Sequence, residues 1–124
     1  SEILPTTPTR PATTLLAFTP EGEVAGMALY FYNYSTWRAR PGVYLEDLYV
    51  TPIARGKGYG KALLKKVAGE ARRVGAGRLE WCVLKWNTPS IEFYESDAVG
   101  AARMDDWVTM RVEGEGLEKL GRDE

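Results

Sequence analysis

Histidine does not occur in this sequence, and cysteine occurs once, at Cys82. The first absence excludes an imidazole general base and the catalytic triads that depend on one. A single cysteine excludes an internal disulfide and a cysteine-rich zinc site, and it fits a reducing compartment. We therefore expect any chemistry to be carried by carboxylates, phenols and backbone groups, without a metal.

Net charge and long apolar runs are also scarce. The 124 residues carry a formal charge of −1, which argues against a nucleic-acid-binding protein with a basic surface. No apolar stretch approaches the roughly 20 residues that cross a bilayer, and the chain does not open on a signal-peptide pattern. These features predict one globular, cytoplasmic domain that binds neither nucleic acid nor membrane.

Three alternating glycines stand between a β-prone run and an amphipathic one. The run Val43 to Val50 stops before Pro52, and the segment from Arg55 to Lys61 leads into a predicted helix over 58–74. Alternating glycines let successive N–H groups point to one spot at a helix N-terminus, where an anion is favoured. The spacing fits neither G-x-G-x-x-G nor the P-loop. We predict a pyrophosphate site of another kind; the alternative is a plain strand-to-helix turn.

Patterns along the rest of the chain predict an α/β fold with a mixed sheet. A proline-rich arm over 1–13 precedes a domain over 14–120, and an acidic tail follows at 121–124. The predicted order is β-β-β-α-β-α-β, with strands over 14–19, 24–34, 43–50, 78–85 and 107–112. The unit from Val43 to Lys85 predicts a parallel pair inside a mostly antiparallel sheet with flanking helices.

Two of these elements have further signals. The nearly continuous apolar run 79–84 predicts a strand buried on both faces, with Cys82 in the core. Thr88 is a good N-cap for the second helix, and Pro89 suits its first turn. On the second strand, Tyr30, Tyr32 and Tyr34 share a face, which indicates either sheet packing or the lining of a substrate groove.

Two side chains are candidates for proton transfer. Glu46 lies mid-strand, where partial desolvation would raise its pKa; the alternative is a structural carboxylate paired with Arg55 or Arg111. Asp47 is predicted on the opposite face and is the weaker candidate. Tyr94 carries a phenol with a pKa of about 10 that can protonate a leaving thiolate; the alternative is a ring packed on the sheet.

Backbone and amide groups complete the candidate site. N–H groups between Leu48 and Val50 are placed to stabilise an oxyanion. The side chain of Asn87 either hydrogen-bonds a cofactor amide or caps the second helix.

Three segments together resemble a known family. They are Tyr44-Leu45-Glu46-Asp47-Leu48-Tyr49-Val50, Arg55-Gly-Lys-Gly-Tyr-Gly60 and Trp86-Asn87-Thr-Pro-Ser-Ile-Glu-Phe-Tyr94. In this order and spacing they resemble the diamine (spermidine/spermine) N-acetyltransferase-like family of the GNAT superfamily, over about residues 14–120. The resemblance implies the GNAT fold, acetyl-CoA as co-substrate and a homodimer. It also implies a small-molecule acceptor with a primary amine, such as a diamine, a polyamine or a lysine-like amino acid.

The resemblance assigns roles residue by residue. Tyr94 matches the general acid and Glu46 the proposed base, while Trp37, Glu46 and Asp47 match the acceptor site. The cofactor contacts match Leu48, Tyr49, Val50, Arg55, Gly56, Lys57, Gly58, Tyr59, Gly60, Lys61 and Asn87.

The chain departs from the family pattern in two places. A strand and two helices that usually precede the hairpin are expected to be missing here, and Ser35 replaces an acid of the acceptor loop. Fewer acids attract a polycation less strongly, which favours a smaller amine. Two alternatives remain: an acyl-CoA-binding module without catalysis, and an acetyltransferase of protein lysines or N-termini.

Overall fold

The computed structural model describes residues 11–36 and 39–122, which form two compact units. The first unit extends to Cys82 and the second begins at Val83. The first contains β1 (Thr13–Phe18), β2 (Val24–Ser35), β3 (Arg40–Val50), a 3-10 turn (Pro52–Ala54), α1 (Tyr59–Arg73) and β4 (Leu79–Glu80). The second contains α2 (Thr88–Glu95) and α3 (Gly114–Leu120).

The four strands form one mixed sheet in the order β1-β2-β3-β4. β2 pairs antiparallel with β1 and with β3, while β3 and β4 are parallel. Parallel strands need a crossover connection, which α1 supplies. The mixed α/β architecture and the parallel pair predicted from the sequence are confirmed.

β3 contains a β-bulge at Glu46. Leu29 of β2 pairs with Asp47, but the next residue, Tyr30, pairs with Leu45. Glu46 is therefore an extra residue without a partner on β2. Leu29 and Tyr30 face opposite sides of the sheet, so Leu45 and Asp47, their partners, do too. The bulge thus interrupts the alternation from which opposite faces were predicted for Glu46 and Asp47.

One face of the sheet packs against α1. On this face the buried positions of β2 and β3 are Gly26, Ala28, Tyr30, Val43 and Leu45. On α1 the buried residues are Leu63, Leu64, Val67 and Ala71, whose helical spacing matches the predicted amphipathic helix. This interface forms the core of the first unit and fixes the start of α1 against the sheet.

A polar network joins the edge of this core to α1. The hydroxyl of Tyr32 donates to Oε1 of Glu70 at 3.0 Å, and the Arg73 guanidinium pairs with the same carboxylate. The Arg73 hydrogen bonds, and then that of Tyr32, lower the pKa of Glu70 to about 2. Tyr30 is buried, so packing accounts for that residue, whereas Tyr32 and Tyr34 are exposed.

The fourth strand is shorter than the sequence predicts. Only Val43–Leu79 and Tyr44–Glu80 pair between β3 and β4, and residues 82–85 are exposed. The predicted strand over 78–85, buried on both faces and with Cys82 in the core, is therefore wrong beyond Glu80. Apolar composition makes a segment compatible with a strand, but hydrogen bonding to a neighbour makes it one.

The second unit also departs from the predictions. Residues 107–112 form no strand, and Trp107, Val108 and Met110 are exposed. The N-cap of α2 is Asn87, whose side-chain oxygen accepts from the Ser90 N–H at 3.4 Å. The predicted cap, Thr88, is instead the first helical residue. Of the two interpretations of Asn87, the structure shows capping.

No helix in ranges 11–36 and 39–122 combines the length and the apolar character needed to span a membrane. The longest of the three α-helices there, α1, has 15 residues.

Close backbone packing at Gly26 gives a prediction about stability. A Cβ built on Gly26 would lie 2.6 Å from the Tyr49 carbonyl oxygen, so Gly26→Ala should lower the free energy of unfolding by about 1–3 kcal/mol. The matched control is Gly69→Ala, which meets nothing within 4 Å on α1. It should raise stability by about 0.5–1 kcal/mol. Urea titrations measure both, and equal effects would contradict the packing described for β2.

The Asn87 cap gives a second prediction. Asn87→Ala should lower the free energy of unfolding by about 1 kcal/mol, because the Ser90 N–H loses its acceptor. Asn87→Asp keeps the acceptor oxygen and should retain most of that stability. If Asp destabilises as much as Ala in chemical denaturation, the amide N–H₂ rather than the cap oxygen is the group that matters.

Candidate functional site

The loop between β3 and α1 holds two glycines in the left-handed region. Gly56 has φ +78° and Gly58 has φ +86°. A Cβ at either position would meet no atom within 4 Å, so backbone conformation rather than space favours glycine there. Gly58 is the N-cap of α1, and its carbonyl accepts the helix's first hydrogen bond from the Ala62 N–H at 3.0 Å.

The charges around this loop favour an anion. The first turn of α1 contains no acidic residue, while Lys57 and Lys61 are exposed beside it. Helix N-termini present unpaired N–H groups and a partial positive charge. Exposed glycines, two lysines and a helix of 15 residues thus fit the diphosphate of a CoA molecule.

The third glycine, Gly60, lies against the last residue of β3. A Cβ on Gly60 would lie 3.6 Å from Cγ2 of Val50, an ordinary van der Waals distance. The first turn of α1 therefore rests directly over the end of β3, which fixes where the N–H groups of the loop are presented.

Arg55 folds back onto β3. Its Nε donates to the Val50 carbonyl oxygen at 3.0 Å, and its guanidinium carbon lies 5.6 Å from the centre of the Tyr49 ring. That distance is within the range of a cation–π contact. The side chain predicted to add charge to the cradle is thus engaged with the strand that precedes it.

The second half of β3 has an unpaired edge. Pairing with β4 ends at Tyr44, and between Leu45 and Val50 no described strand pairs with β3 on that side. The backbone groups of such an edge can hydrogen-bond an extended ligand as a further strand would. Leu48, Tyr49 and Val50, predicted to contact the cofactor, all lie on this segment.

The bulge presents two carboxylates next to this edge. Glu46 and Asp47 are both exposed, so the prediction of a partly desolvated Glu46 is wrong. Of its two predicted partners, Arg55 is bound to Val50 instead. The bulge, not burial, is what distinguishes Glu46, in keeping with the tendency of bulges to re-aim side chains at functional sites.

Tyr44 is a neighbour of Glu46 that sequence reasoning missed. Its hydroxyl lies 2.9 Å from Sγ of Cys82, and its ring packs 5.3 Å from that of Phe31. The bond to Cys82, then burial, and to a smaller extent the charge of Glu46, raise the pKa of Tyr44 to about 12. Its position two residues before Glu46 was the available signal.

The second unit carries Tyr94 and Asn87. Tyr94 is half-buried in α2, and burial raises its pKa above the usual value of 10.0. Its phenol therefore stays protonated at neutral pH, which is the form that a proton donor needs. Asn87 uses its side-chain oxygen to cap the same helix.

Trp37 of the predicted acceptor site and Ser35 of the same loop differ in what the structure shows. Trp37 lies outside the described residues. Ser35, which replaces an acid in the family pattern, is the last residue of β2 and is buried. The carboxylates exposed next to the unpaired edge are Glu46 and Asp47.

Comparisons with known proteins agree with this geometry. The chain is 40% identical over 99 residues to L-ornithine N5-acetyltransferase NATA1 of Arabidopsis thaliana, covering 80% of this chain and 42% of that protein. It is 42% identical over 106 residues to thialysine N-epsilon-acetyltransferase of Caenorhabditis elegans, covering 85% and 65%. The chain thus spans 42% and 65% of the length of these two relatives.

A solved structure shares this fold. An integron cassette protein from the mobile metagenome of V. cholerae superposes with a TM-score of 0.82 at 30% identity, covering 93% of this chain and 69% of that one. The sequence pattern of the Acetyltransferase (GNAT) family matches residues 5–98. Since this match extends over more than half of the chain, the protein belongs to the GNAT acetyltransferase family.

Proposed function

We propose that this chain is the catalytic part of an acetyl-CoA-dependent N-acetyltransferase that acts on the primary amine of a small molecule. The observation that carries the proposal is the arrangement at the end of β3. A bulge at Glu46, an unpaired strand edge from Leu45 to Val50 and a left-handed glycine loop at the start of α1 follow one another.

The loop and the strand edge bind different parts of CoA. The N–H groups at the start of α1 bind the diphosphate, with Gly56 and Gly58 shaping the turn and Lys57 and Lys61 adding charge. The backbone edge of β3 hydrogen-bonds the amides of the extended pantetheine arm. Anchoring both ends brings the thioester to the bulge, where Glu46 lies.

Proton transfer is assigned to Glu46 and Tyr94. An acceptor amine is protonated at neutral pH and must lose a proton before its nitrogen attacks the thioester carbonyl. Glu46 takes that proton, directly or through a water molecule. The new C–N bond forms, the C–S bond breaks, and the Tyr94 phenol gives its proton to the departing thiolate. The nitrogen loses its second proton as the amide forms, and that proton restores the phenol.

The acceptor is proposed to be a short amino-acid-like amine. Two relatives have ornithine and thialysine in their names, and both compounds carry a single side-chain amine. Glu46 and Asp47 supply a local negative charge for an ammonium group. The buried Ser35 supplies none to a longer polycation, which favours a small acceptor over a polyamine.

The assembly and the compartment are proposed on less direct support. The resemblance to diamine acetyltransferases supports a homodimer, which sedimentation would test. The free Cys82 thiol is consistent with a cytoplasmic, reducing environment.

Release of free thiol from acetyl-CoA tests the proposed reaction. Ornithine, thialysine, lysine, putrescine and spermidine are offered separately to the chain. We expect release with an amino acid and less with spermidine. No release with any amine, while CoA still binds, would support a binding module or a protein substrate instead.

Replacing the two proton carriers tests their roles. Tyr94→Phe should lower kcat by about 10²–10⁴-fold, the usual contribution of a positioned acid, with little change in CoA affinity. Glu46→Gln should lower kcat/KM for the amine, and the loss should shrink at high pH, where more amine is already neutral. Tyr32→Phe, which removes a hydroxyl bonded to Glu70, is the matched control. An unchanged kcat in Tyr94→Phe would exclude that phenol as the acid.

A further inference from the structure

We infer that Arg55 is a positioning residue. Its Nε–H bond to Val50 orders the segment Gly56 to Lys61, here called the diphosphate loop, and its guanidinium does not contact the diphosphate. The inference rests on the proposed function, because it concerns the same CoA site. It differs from the role carried over by resemblance, which counts Arg55 among the cofactor contacts.

Arg55 connects the two ends of a short segment in which the chain reverses direction. Val50 ends β3, the 3-10 turn Pro52–Ala54 follows, and Arg55 is the residue directly before Gly56. The bond of 3.0 Å from Nε to the Val50 carbonyl closes this segment. Backbone bonds support it, from the Ala54 N–H to Thr51 and from the Arg55 N–H to Pro52.

The rest of the loop has little else to fix it. A Cβ added at Gly56 or Gly58 would meet nothing within 4 Å, so these residues are not packed by neighbours. Glycine has the largest conformational freedom of any residue. A restraint on Arg55 therefore limits the conformational freedom of the loop before CoA binds. A loop that is already ordered loses less conformational entropy on binding, so CoA binds more tightly.

The atoms of the bond suggest an informative pair of substitutions. In arginine the Nε lies four bonds from Cα, and in glutamine the amide nitrogen lies at the same distance. Lysine has a methylene group at that point, so it cannot donate there. Lysine does keep the positive charge and can still lie over Tyr49, while glutamine loses both.

Arg55→Lys and Arg55→Gln thus separate the hydrogen bond from the charge. Loss of one hydrogen bond that orders the loop should weaken CoA binding about 3- to 10-fold. We expect this loss in Arg55→Lys and a smaller one in Arg55→Gln. If the charge were the important feature, the order would be reversed, and the loss in Arg55→Gln would grow as the salt concentration falls.

The experiment combines two readouts on the whole chain. Calorimetric titration gives the CoA dissociation constant, and amide hydrogen exchange of Gly56 to Lys61 without ligand gives the order of the loop. The control is Arg72→Lys, the same replacement at an exposed position of α1. It should have the CoA dissociation constant and the loop exchange rates of the parent chain. Urea titration checks that every variant is folded.

The outcomes separate the inference from the proposed function. Faster loop exchange in Arg55→Lys than in Arg55→Gln, with the same ranking of CoA affinity, supports the positioning role. If the parent chain does not bind CoA but the exchange ranking holds, the positioning role stands and the proposed function fails. Loop exchange in Arg55→Lys equal to the parent's, or a weaker CoA affinity in Arg55→Gln than in Arg55→Lys, would overturn the inference.

Discussion

The backbone of β3 is the constraint on which the candidate site depends. One extra residue at Glu46 exchanges the two faces of the strand, so that Val50 packs under the first turn of α1 while Glu46 and Asp47 are exposed. The same strand loses its parallel neighbour after Tyr44. A bulge, an unpaired edge and a helix start are thereby placed within one short segment, on which the proposed sites for CoA and the acceptor amine both depend.

The core between the sheet and α1 keeps this segment in place. Gly26 allows β2 to approach the Tyr49 carbonyl closely, and Val67 of α1 is fully buried. The Tyr32–Glu70 bond holds the far end of the helix, while Gly60 in its first turn lies against Val50. The glycine loop is exposed, whereas both elements that it joins contribute buried residues to the core.

Local signals predicted the elements that local chemistry determines. The glycine loop, the amphipathic α1 and the β1–β2 hairpin follow from residue type and spacing, and all are present in the structure. The bulge at Glu46 could not be predicted, because it depends on register with β2 and leaves the sequence alternation unchanged. The length of β4, and whether residues 107–112 form a strand, likewise depend on pairing with a neighbouring strand. At Asn87, capping and ligand binding use the same side chain, so only geometry distinguishes them.

The central claim is that the N–H groups from Gly56 to Lys61 bind the diphosphate of CoA. Titration of CoA into ¹⁵N-labelled protein, followed by amide chemical shifts, tests it most directly. We predict that the largest shifts fall on these amides and on those of Leu48 to Val50, and that inorganic pyrophosphate moves the loop amides but not those of β3. Shifts confined to other parts of the chain, or no shifts at saturating CoA, would contradict the account.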